Sequence, residues 1–425
     1  MIAFHFPPLQ ASSGIQRTLA FSRDLREHGW EPIVLSAHPR AYWSVSDDLI
    51  RSIPEGVPVY RPFALDTARH LSLFGVYPKQ LALPDRWTSW RLGAIPCGRG
   101  ILRRHRPDVI WSTFPIATAH VIGRSLAAWS GKPWVADFRD SMTEPEFPPD
   151  PTVRKVYRRI ERSTVERAAR SVFTTPGAVR MYAERYPEID PSRWALIPNG
   201  YDEETVKEAE RAASAQDAFG AGVSHAPMTL VHSGTLYPWE RDPRPFFAAV
   251  ASLRRTGVVS ADTFRVVLRA TAHDDHYATL LREAGIDDIV RLEPQVGYAA
   301  AVAEMLTAGG LLLFQAANCN HQIPAKLYEY LRARRPILAM TDAAGDTAGV
   351  LREAGIDTIV PLDSSARIEE GLRGFLAAIR NGTAAVPGLD MVARYSRRAR
   401  ARELAALLDE VAAGHAPGRT AIRRS

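Results

Sequence analysis

The sequence has few cysteines, few lysines and no long apolar run. The shortage of cysteine and the absence of a long apolar run each exclude a class of protein. Cys97 and Cys319 lie far apart and outside any Cys-x-x-Cys pair, which excludes a disulfide framework and a cysteine-based zinc site. No apolar stretch approaches the roughly 20 residues of a membrane helix. The N-terminus, MIAFHFPP, lacks the basic and apolar segments of a signal peptide. We therefore expect a cytoplasmic protein.

Arginine supplies most of the positive charge. Only five of the 53 basic residues are lysines, and the formal net charge is +6. Arginine suits phosphate groups and anionic lipid, although a GC-rich genome explains the same bias. The basic segment at 86–107 contains Trp87 and Trp90, which predicts a peripheral contact with the inner face of the plasma membrane unless both tryptophans are core residues. No nucleic-acid partner is expected, because the basic stretches lie in no DNA- or RNA-binding motif.

Short apolar runs alternate with helical patterns in two successive series. The runs of the first series lie at 2–6, 32–37, 108–113, 133–138, 171–176 and 194–199. The main runs of the second series lie at 228–234, 264–270, 310–316 and 336–340. This alternation predicts an α/β protein with two Rossmann-like, doubly wound lobes facing each other across a cleft. The predicted parts are residues 1–196, 197–390, and a C-terminal helix with a basic tail at 391–425.

The segment His321–Met340 is the most informative part of the chain. Pro324 suits the first helical position, so the backbone amides of Ile323, Ala325 and Lys326 would open a helix N-terminus, which favours anions. The Lys326 side chain adds a positive charge, and Glu329 on the same face could accept both hydroxyls of a ribose. An amphipathic surface helix with a Lys–Glu pair is the alternative interpretation.

Four segments together resemble family 4 retaining glycosyltransferases, which have the GT-B fold. PAKLYEYLRARRPILAM resembles the donor-binding helix and the strand that follows it. The other three segments, in chain order, are HFPPLQASSGIQRTLAFSRDLREHGWEPIVLSA, IPNGYDEE and HSGTLYPWERDPRPFFAAV. The resemblance implies transfer of a sugar from a nucleotide diphosphate to a hydroxyl of a lipid-linked glycan precursor, with retention. The resemblance also implies a role in cell-surface polysaccharide biosynthesis. It implies that the reaction needs no metal or other cofactor.

The resemblance also implies roles for individual residues of the second lobe. Glu329 matches the second acid of the family's Glu-x7-Glu pattern, and His321 stands where the first acid would contact the transferred sugar. Arg241 stands at the position of a phosphate-binding lysine, and Thr235 replaces an arginine. Arg241 and Lys326 are therefore expected to neutralise the diphosphate, and Gly234 to let the backbone approach the nucleotide.

In the first lobe, the candidates lie after the first and fourth apolar runs. Gly14 ends a loop, 7–14, that the resemblance places near the donor diphosphate. The segment VADFRDSMTEPEF puts Asp137, Arg139 and Asp140 at the end of a strand. Asp140 or Asp137 would orient the acceptor hydroxyl, and Arg139 would donate hydrogen bonds to a sugar or an anionic acceptor. A structural Asp-Arg-Asp cluster is the alternative. His120 is a candidate for contact with the acceptor or the sugar, unless it lies on a helix surface.

Two other functions fit the same sequence. A sugar-nucleotide epimerase of the GT-B class would act on a nucleotide sugar without an acceptor. A catalytically silent nucleotide-sugar-binding protein would explain the missing first acid and the arginine at position 139. The sequence has no Asp-x-Asp motif at a convincing strand end, and Asp274 and Asp275 lie in a predicted loop, so no metal site is expected.

Overall fold

The computed structural model describes residues 1–10, 14–145, 147–219 and 227–415, which form two compact α/β units. The first unit comprises Met1–Pro198 and the chain from Arg397 onward, and the second comprises Asn199–Ser396. These borders lie close to the predicted ones after residues 196 and 390. Each unit contains a parallel sheet with helices connecting its strands. The two units are described separately below.

The sheet of the first unit is parallel and is joined through the N-terminal segment. Its strands are β1 Val34–Leu35, β2 Val59–Tyr60, β3 Ile110–Thr113, β4 Trp134–Phe138, β5 Arg170–Phe173 and β6 Trp194–Leu196. The strands pair in the orders β1-β2 and β3-β4-β5-β6. Ile2 bridges Leu35 and Ser112, so the segment predicted as a strand at 2–6 forms only a bridge between β1 and β3. The strand order therefore reverses at this bridge, and ligand sites of open α/β sheets lie at such points.

The helices of the first unit follow the local signals in the sequence. Those that precede residue 198 are α1 Gly14–Asp24, α2 Thr67–His70, α3 Trp90–His105, α4 Ala117–Ser130, α5 Pro151–Arg167 and α6 Pro176–Arg185. Asp150 caps α5 by accepting hydrogen bonds from the backbone amides of Thr152 and Val153, with Pro151 at the first helical position. After α1, a short 3-10 turn ends at Gly29, which has a φ of +81°. These local signals account for the start of α5 and for the end of the turn after α1.

The second unit has one six-stranded parallel sheet. Its strands are β7 Met228–Ser233, β8 Phe264–Arg269, β9 Val290–Glu293, β10 Gly310–Phe314, β11 Ile337–Met340 and β12 Ile359–Val360. Its helices are α7 Glu203–Phe219, α8 Arg244–Arg255, α9 Asp274–Glu283, α10 Tyr298–Thr307, α11 Lys326–Ala333, α12 Asp346–Glu353, α13 Ser365–Arg380 and α14 Leu389–Arg394. The strand order is β12-β11-β10-β7-β8-β9, so the winding reverses between β7 and β10. A ligand site is expected where these two strands end.

The C-terminal helix belongs to the first unit. The single helix predicted at about 391–412 is two helices, α14 and α15 Arg397–Gly414, separated at Tyr395 and Ser396. The apolar face of α15 packs against α1 and the sheet of the first unit. The residues of this core are Phe21, Leu25, Trp111, Val135, Val172, Ala401, Leu404, Ala405, Leu408 and Val411. The third part predicted at 391–425 is therefore not a separate appendage, and residues 416–425 lie outside the described residues.

The tryptophans of the basic segment 86–107 are part of the core. Trp90 is fully buried, and its indole nitrogen donates to the carbonyl of Ser36 at 3.1 Å. The Trp87 indole nitrogen donates to the carbonyl of Ala41 at 3.0 Å. These two residues therefore do not form the membrane contact that the sequence suggested. Within the described parts of the chain, no helix is long and apolar enough to cross a bilayer.

Candidate functional site

In the second unit, a glycine at the end of β7 lets a lysine amine lie against the backbone. Gly234 has a φ of +106°, a conformation that side chains disfavour. A Cβ atom at this position would lie 2.9 Å from Lys326 Nζ. Lys326 is the first residue of α11, so the turn after β7 and the start of α11 meet here. The structure thus brings the predicted residues Gly234 and Lys326 together.

A buried histidine contacts the same lysine. The Nδ1 atom of His232 lies 2.9 Å from the carbonyl oxygen of Leu312, and its Nε2 atom lies 3.2 Å from the carbonyl oxygen of Gly234 and 3.1 Å from Lys326 Nζ. Burial and the charge of Lys326 hold the pKa of His232 well below its usual value. His232 is therefore a neutral ring between β10, the turn after β7 and the lysine, and the sequence analysis missed it.

Arg241 adds a second positive charge beside Lys326. Its Nη1 atom donates to the carbonyl of Thr235 at 3.0 Å, and its guanidinium lies 5.5 Å from the centre of the Tyr237 ring. Burial and the nearby Arg241 hold the pKa of Lys326 well below its usual range. Two cations placed this close together favour an anion between or beside them. The predicted pair of cations is thus present at the end of β7.

Glu329 follows Lys326 by one turn on α11. Its Oε1 atom accepts a hydrogen bond of 2.7 Å from the Tyr298 hydroxyl, which fixes the carboxylate. The charge of Glu329 favours the protonated form of Lys326, so it opposes the effect of Arg241. The predicted placement of both residues on one helix face agrees with these contacts.

The loop before α11 is held by side-chain hydrogen bonds. Gln315 Nε2 donates to the carbonyls of Cys319 at 2.7 Å and Gln322 at 2.9 Å. Ala325 is the N-cap residue of α11, and Ile323 is buried. His321 lies in this loop, shortly before the first residue of α11. Its contact with a sugar stays a prediction.

In the first unit, Asp137 is a structural carboxylate. It is fully buried at the end of β4, where Arg17 donates to Oδ1 at 2.9 Å and to Oδ2 at 3.2 Å. Thr113 Oγ1 donates to Oδ2 at 2.8 Å, and Arg17 also donates to the carbonyls of Ile197 and Pro198 at 3.0 and 2.9 Å. These contacts tie α1 to three strand ends. The prediction that Asp137 orients an acceptor is therefore wrong, because its carboxylate already holds the fold together.

Arg139 and Gly14 meet at the N-terminus of α1. A Cβ atom at Gly14 would lie 1.6 Å from Arg139 Nη1, so a side chain at this position would displace the guanidinium. The Arg139 side chain is 9% exposed, and its Nη1 atom finds no hydrogen-bond acceptor among the described residues. Asp140 is 61% exposed, with its carboxylate 3.7 Å from Arg139 Nε. A buried guanidinium beside a helix N-terminus is suited to an anionic group.

His120 is a core residue. Its side chain is fully buried, with Nδ1 2.8 Å from Ser112 Oγ and the ring 4.9 Å from that of Phe138. Burial lowers its pKa to about 3, so the ring is neutral at ordinary pH. The predicted contact of His120 with acceptor or sugar is wrong, because aromatic side chains enclose it.

The segment after β4 is fastened by a buried glutamate on α5. Glu161 accepts hydrogen bonds of 2.9, 2.9, 2.7 and 2.7 Å, and its carboxylate is fully buried. The donors are Thr143 Oγ1, the Tyr182 hydroxyl, Arg185 Nη1 and the Tyr186 hydroxyl. Thr143 lies shortly after Arg139 and Asp140, so this network fixes the chain that carries them.

Comparison with known proteins points to glycosyltransferases. Residues 13–200 match the family described as "Glycosyl transferase 4-like domain". The match covers less than half of the chain and lies almost entirely in the first unit. A D-inositol 3-phosphate glycosyltransferase of Kineococcus radiotolerans is 27% identical over 268 aligned residues, and the match covers 59% of this chain and 57% of that protein. The match thus covers less than two thirds of the relative's length.

Solved structures share the fold over nearly the whole chain. Sucrose-phosphate synthase from Thermosynechococcus elongatus has a TM-score of 0.66 at 14% identity, covering 97% of this chain and 99% of its own. HepE of Anabaena, solved with UDP and glucose, has a TM-score of 0.61 at 11% identity, covering 96% and 99%. The chain therefore has the predicted GT-B fold, with Rossmann-like α/β units and C-terminal helices.

One more residue of the first unit lies near Arg139. His5 follows the N-terminal bridge, and burial together with the Arg139 charge lowers its pKa to about 3. Its ring centre lies 6.0 Å from that of Trp43. The sequence analysis missed His5, although a histidine within the first apolar run was a usable signal. Among the described residues, no group of three or more metal-ligating side chains is found.

Proposed function

We propose that the chain is a retaining glycosyltransferase that takes a sugar from a nucleotide diphosphate sugar. The observation that carries the proposal is the cluster of Gly234, Lys326 and Arg241 where β7 and β10 end, with Glu329 one turn along α11. The two cations hold the diphosphate, and the Glu329 carboxylate accepts from the ribose hydroxyls. The HepE structure with UDP and glucose supports the choice of ligand class.

Lys326 and Arg241 act mainly on the leaving group. As the bond between the sugar and the diphosphate breaks, negative charge grows on the departing phosphate, and both cations stabilise it. The acceptor hydroxyl attacks from the same face, and its proton passes to the leaving phosphate. His321 contacts the transferred sugar. No metal is required, because these side chains supply the positive charge.

The acceptor is a hydroxyl of a lipid-linked glycan precursor, bound by the first unit. Arg139 contacts an anionic group of that acceptor, since its guanidinium is buried against Gly14 beside a helix N-terminus. Asp140, which is exposed, orients the hydroxyl. The Kineococcus relative, whose name includes a phosphorylated inositol, supports an acceptor that carries phosphate.

A titration with nucleotide diphosphates and their sugars tests the donor site. We expect calorimetry to show tight binding of one nucleotide, weakened about tenfold by Glu329→Gln because the ribose loses charge-assisted hydrogen bonds. Glu283→Gln, an exposed acid on α9, is the matched control and should bind like the unchanged protein. Equal affinity of all three proteins, or no binding of any nucleotide, would contradict the donor site. Product analysis then separates transfer from epimerisation and from binding without turnover.

The charge state of Lys326 makes nucleotide binding depend on pH. Burial and Arg241 lower the pKa of Lys326, against the opposite effect of Glu329 and beside the neutral His232. A bound diphosphate raises this pKa again, because its negative charge stabilises the ammonium. Between the pKa of the free protein and that of the complex, binding takes up a proton and weakens as pH rises.

Calorimetry in buffers of different ionisation enthalpy measures this proton uptake. We expect net proton uptake when the unchanged protein binds nucleotide, and clearly less proton uptake in Lys326→Met. The uptake that remains in this variant comes from protonation of the nucleotide itself. The same uptake in both proteins would show that Lys326 stays charged in the free protein.

A further inference from the structure

A tight hairpin projects from the first unit between α2 and α3. The amide of Leu73 donates to the carbonyl of Val76 at 2.9 Å, and the amide of Val76 donates back at 3.0 Å. Phe74 and Gly75 form the two-residue turn, with φ values of +52° and +78°. Positive φ at both central residues is typical of a type I′ turn. We name residues Leu71–Val76 the apolar hairpin.

The tip of the apolar hairpin consists of large apolar side chains in solvent. Phe74 is 97% exposed, and Leu73 and Val76 are each 73% exposed. The left-handed backbone conformation is disfavoured for a bulky residue, so the backbone of Phe74 is strained. Burial of the Phe74 ring within the protein does not offset this strain, because the ring is exposed. Strained residues of this kind concentrate at functional sites, because folding stability alone does not favour them. The hairpin is therefore built to present these side chains.

The base of the apolar hairpin is fixed to the first unit. The buried Asp66 carboxylate caps α2 through the amide of Ala68 at 3.0 Å and accepts from Arg86 Nε at 2.8 Å. Thr67 Oγ1 donates to the carbonyl of Leu81 at 2.8 Å, which fastens the returning chain. Because the base is rigid, the exposed tip loses little conformational freedom when it binds to another surface.

The charged residues in the segment that carries the apolar hairpin have one sign. No aspartate or glutamate occurs in the sequence between Asp66 and Asp85, whereas Arg69, His70 and Lys79 lie in that interval. Arg69 and Lys79 are exposed; Arg69 donates to the carbonyl of Tyr42, and Lys79 lies 3.5 Å from the Asp150 carboxylate, a surface pair. Exposed apolar and aromatic side chains next to cations match the interface of an anionic bilayer, where both are stabilised together.

We propose that the apolar hairpin inserts Leu73, Phe74 and Val76 into the headgroup region of an anionic lipid bilayer. Arg69 and Lys79 then face the lipid headgroups. This inference rests on the proposed function, because that function includes a lipid-linked acceptor. It extends the proposed function by assigning the membrane contact to a specific element. The contact thus lies in the hairpin and not at Trp87 and Trp90.

Flotation of the full chain with lipid vesicles tests the proposal. The vesicles contain phosphatidylcholine alone or a mixture with phosphatidylglycerol. We expect the unchanged protein to float with the mixed vesicles, less so at high salt. The double variant Leu73→Ser/Phe74→Ser should lose at least about tenfold in vesicle affinity, because two large apolar side chains no longer partition. Leu389→Ser, which changes a 62% exposed leucine of the second unit, should float like the unchanged protein.

Three results would overturn the proposal. The first is absence of flotation with either vesicle, and the second is equal flotation of the hairpin variant and the unchanged protein. The third is a hairpin variant that changes the mass of the protein in light scattering without lipid, since the hairpin would then be a contact between copies. Nucleotide binding by calorimetry should be the same in all variants. Absence of nucleotide binding by the unchanged protein would refute the donor site but would not affect the conclusion about lipid binding.

Discussion

Replacing Glu161 with alanine should lower the free energy of unfolding of the first unit by about 3–5 kcal/mol. The carboxylate is fully buried and accepts from two tyrosine hydroxyls, a threonine hydroxyl and Arg185. Its removal leaves the partly buried Arg185 cation and the hydroxyls without their acceptor, and a cavity in their midst. The effect should extend to the segment with Arg139 and Asp140, because Thr143 loses its acceptor and keeps only hydrogen bonds from Arg185, whose carboxylate partner is also gone.

Urea unfolding followed by tryptophan fluorescence measures this loss selectively. Eight of the nine tryptophans precede residue 198, and Trp239 is the exception, so the fluorescence reports mainly on the first unit. Glu166→Ala is the matched control: this acid of α5 is 42% exposed and pairs with Arg162, so its loss should stay within about 0.5 kcal/mol. A change below 1 kcal/mol in Glu161→Ala would show that the network is not held as described.

The second large effect is on catalysis: Lys326→Met should lower kcat/KM by about 10²–10³. The ammonium lies over Gly234 beside Arg241, where charge develops on the leaving phosphate in the proposed reaction. Methionine keeps the length and most of the volume of lysine, so the turn after β7 keeps its packing while the charge is lost.

Initial rates with the preferred nucleotide sugar measure this effect. Lys207→Met, at an exposed lysine on α7, is the control and should leave kcat/KM unchanged. A change below about threefold in Lys326→Met would assign the leaving-group charge to Arg241 alone. The fluorescence unfolding profile of the variant checks that the first unit is intact, and circular dichroism checks the second.

The grouping of Gly234, Lys326 and Glu329 was largely predictable, because each lies in a short local motif. Gly234 ends an apolar run, and Lys326 and Glu329 lie one turn apart on one helix. The resemblance to a known family then suggested that Gly234 belongs with the other two. His232 was the exception. Its role depends on the carbonyl of Leu312 and on the pairing of β7 with β10, which no local pattern reveals.

The residues of the first unit were harder to assign, because their partners are distant in sequence. Asp137 was interpreted as chemical because it ends a strand, but its carboxylate is held by Arg17, whose place in the chain gives no sign of this pairing. His120 is surrounded by aromatic residues from other elements. In both cases, a polar residue near a strand end had two interpretations, and only the tertiary contacts distinguished them.

The return of α15 to the first unit affects how the protein is synthesised. The core face formed by Phe21, Trp111 and Val172 needs Leu404 and Leu408, which leave the ribosome only after the whole second unit. At about 5–20 residues per second, the segment 199–396 takes on the order of 10–40 s to synthesise. During this time the nascent first unit presents an apolar face to solvent, and chaperone binding there would protect it from aggregation. The second unit, which is continuous in sequence, can complete its fold first.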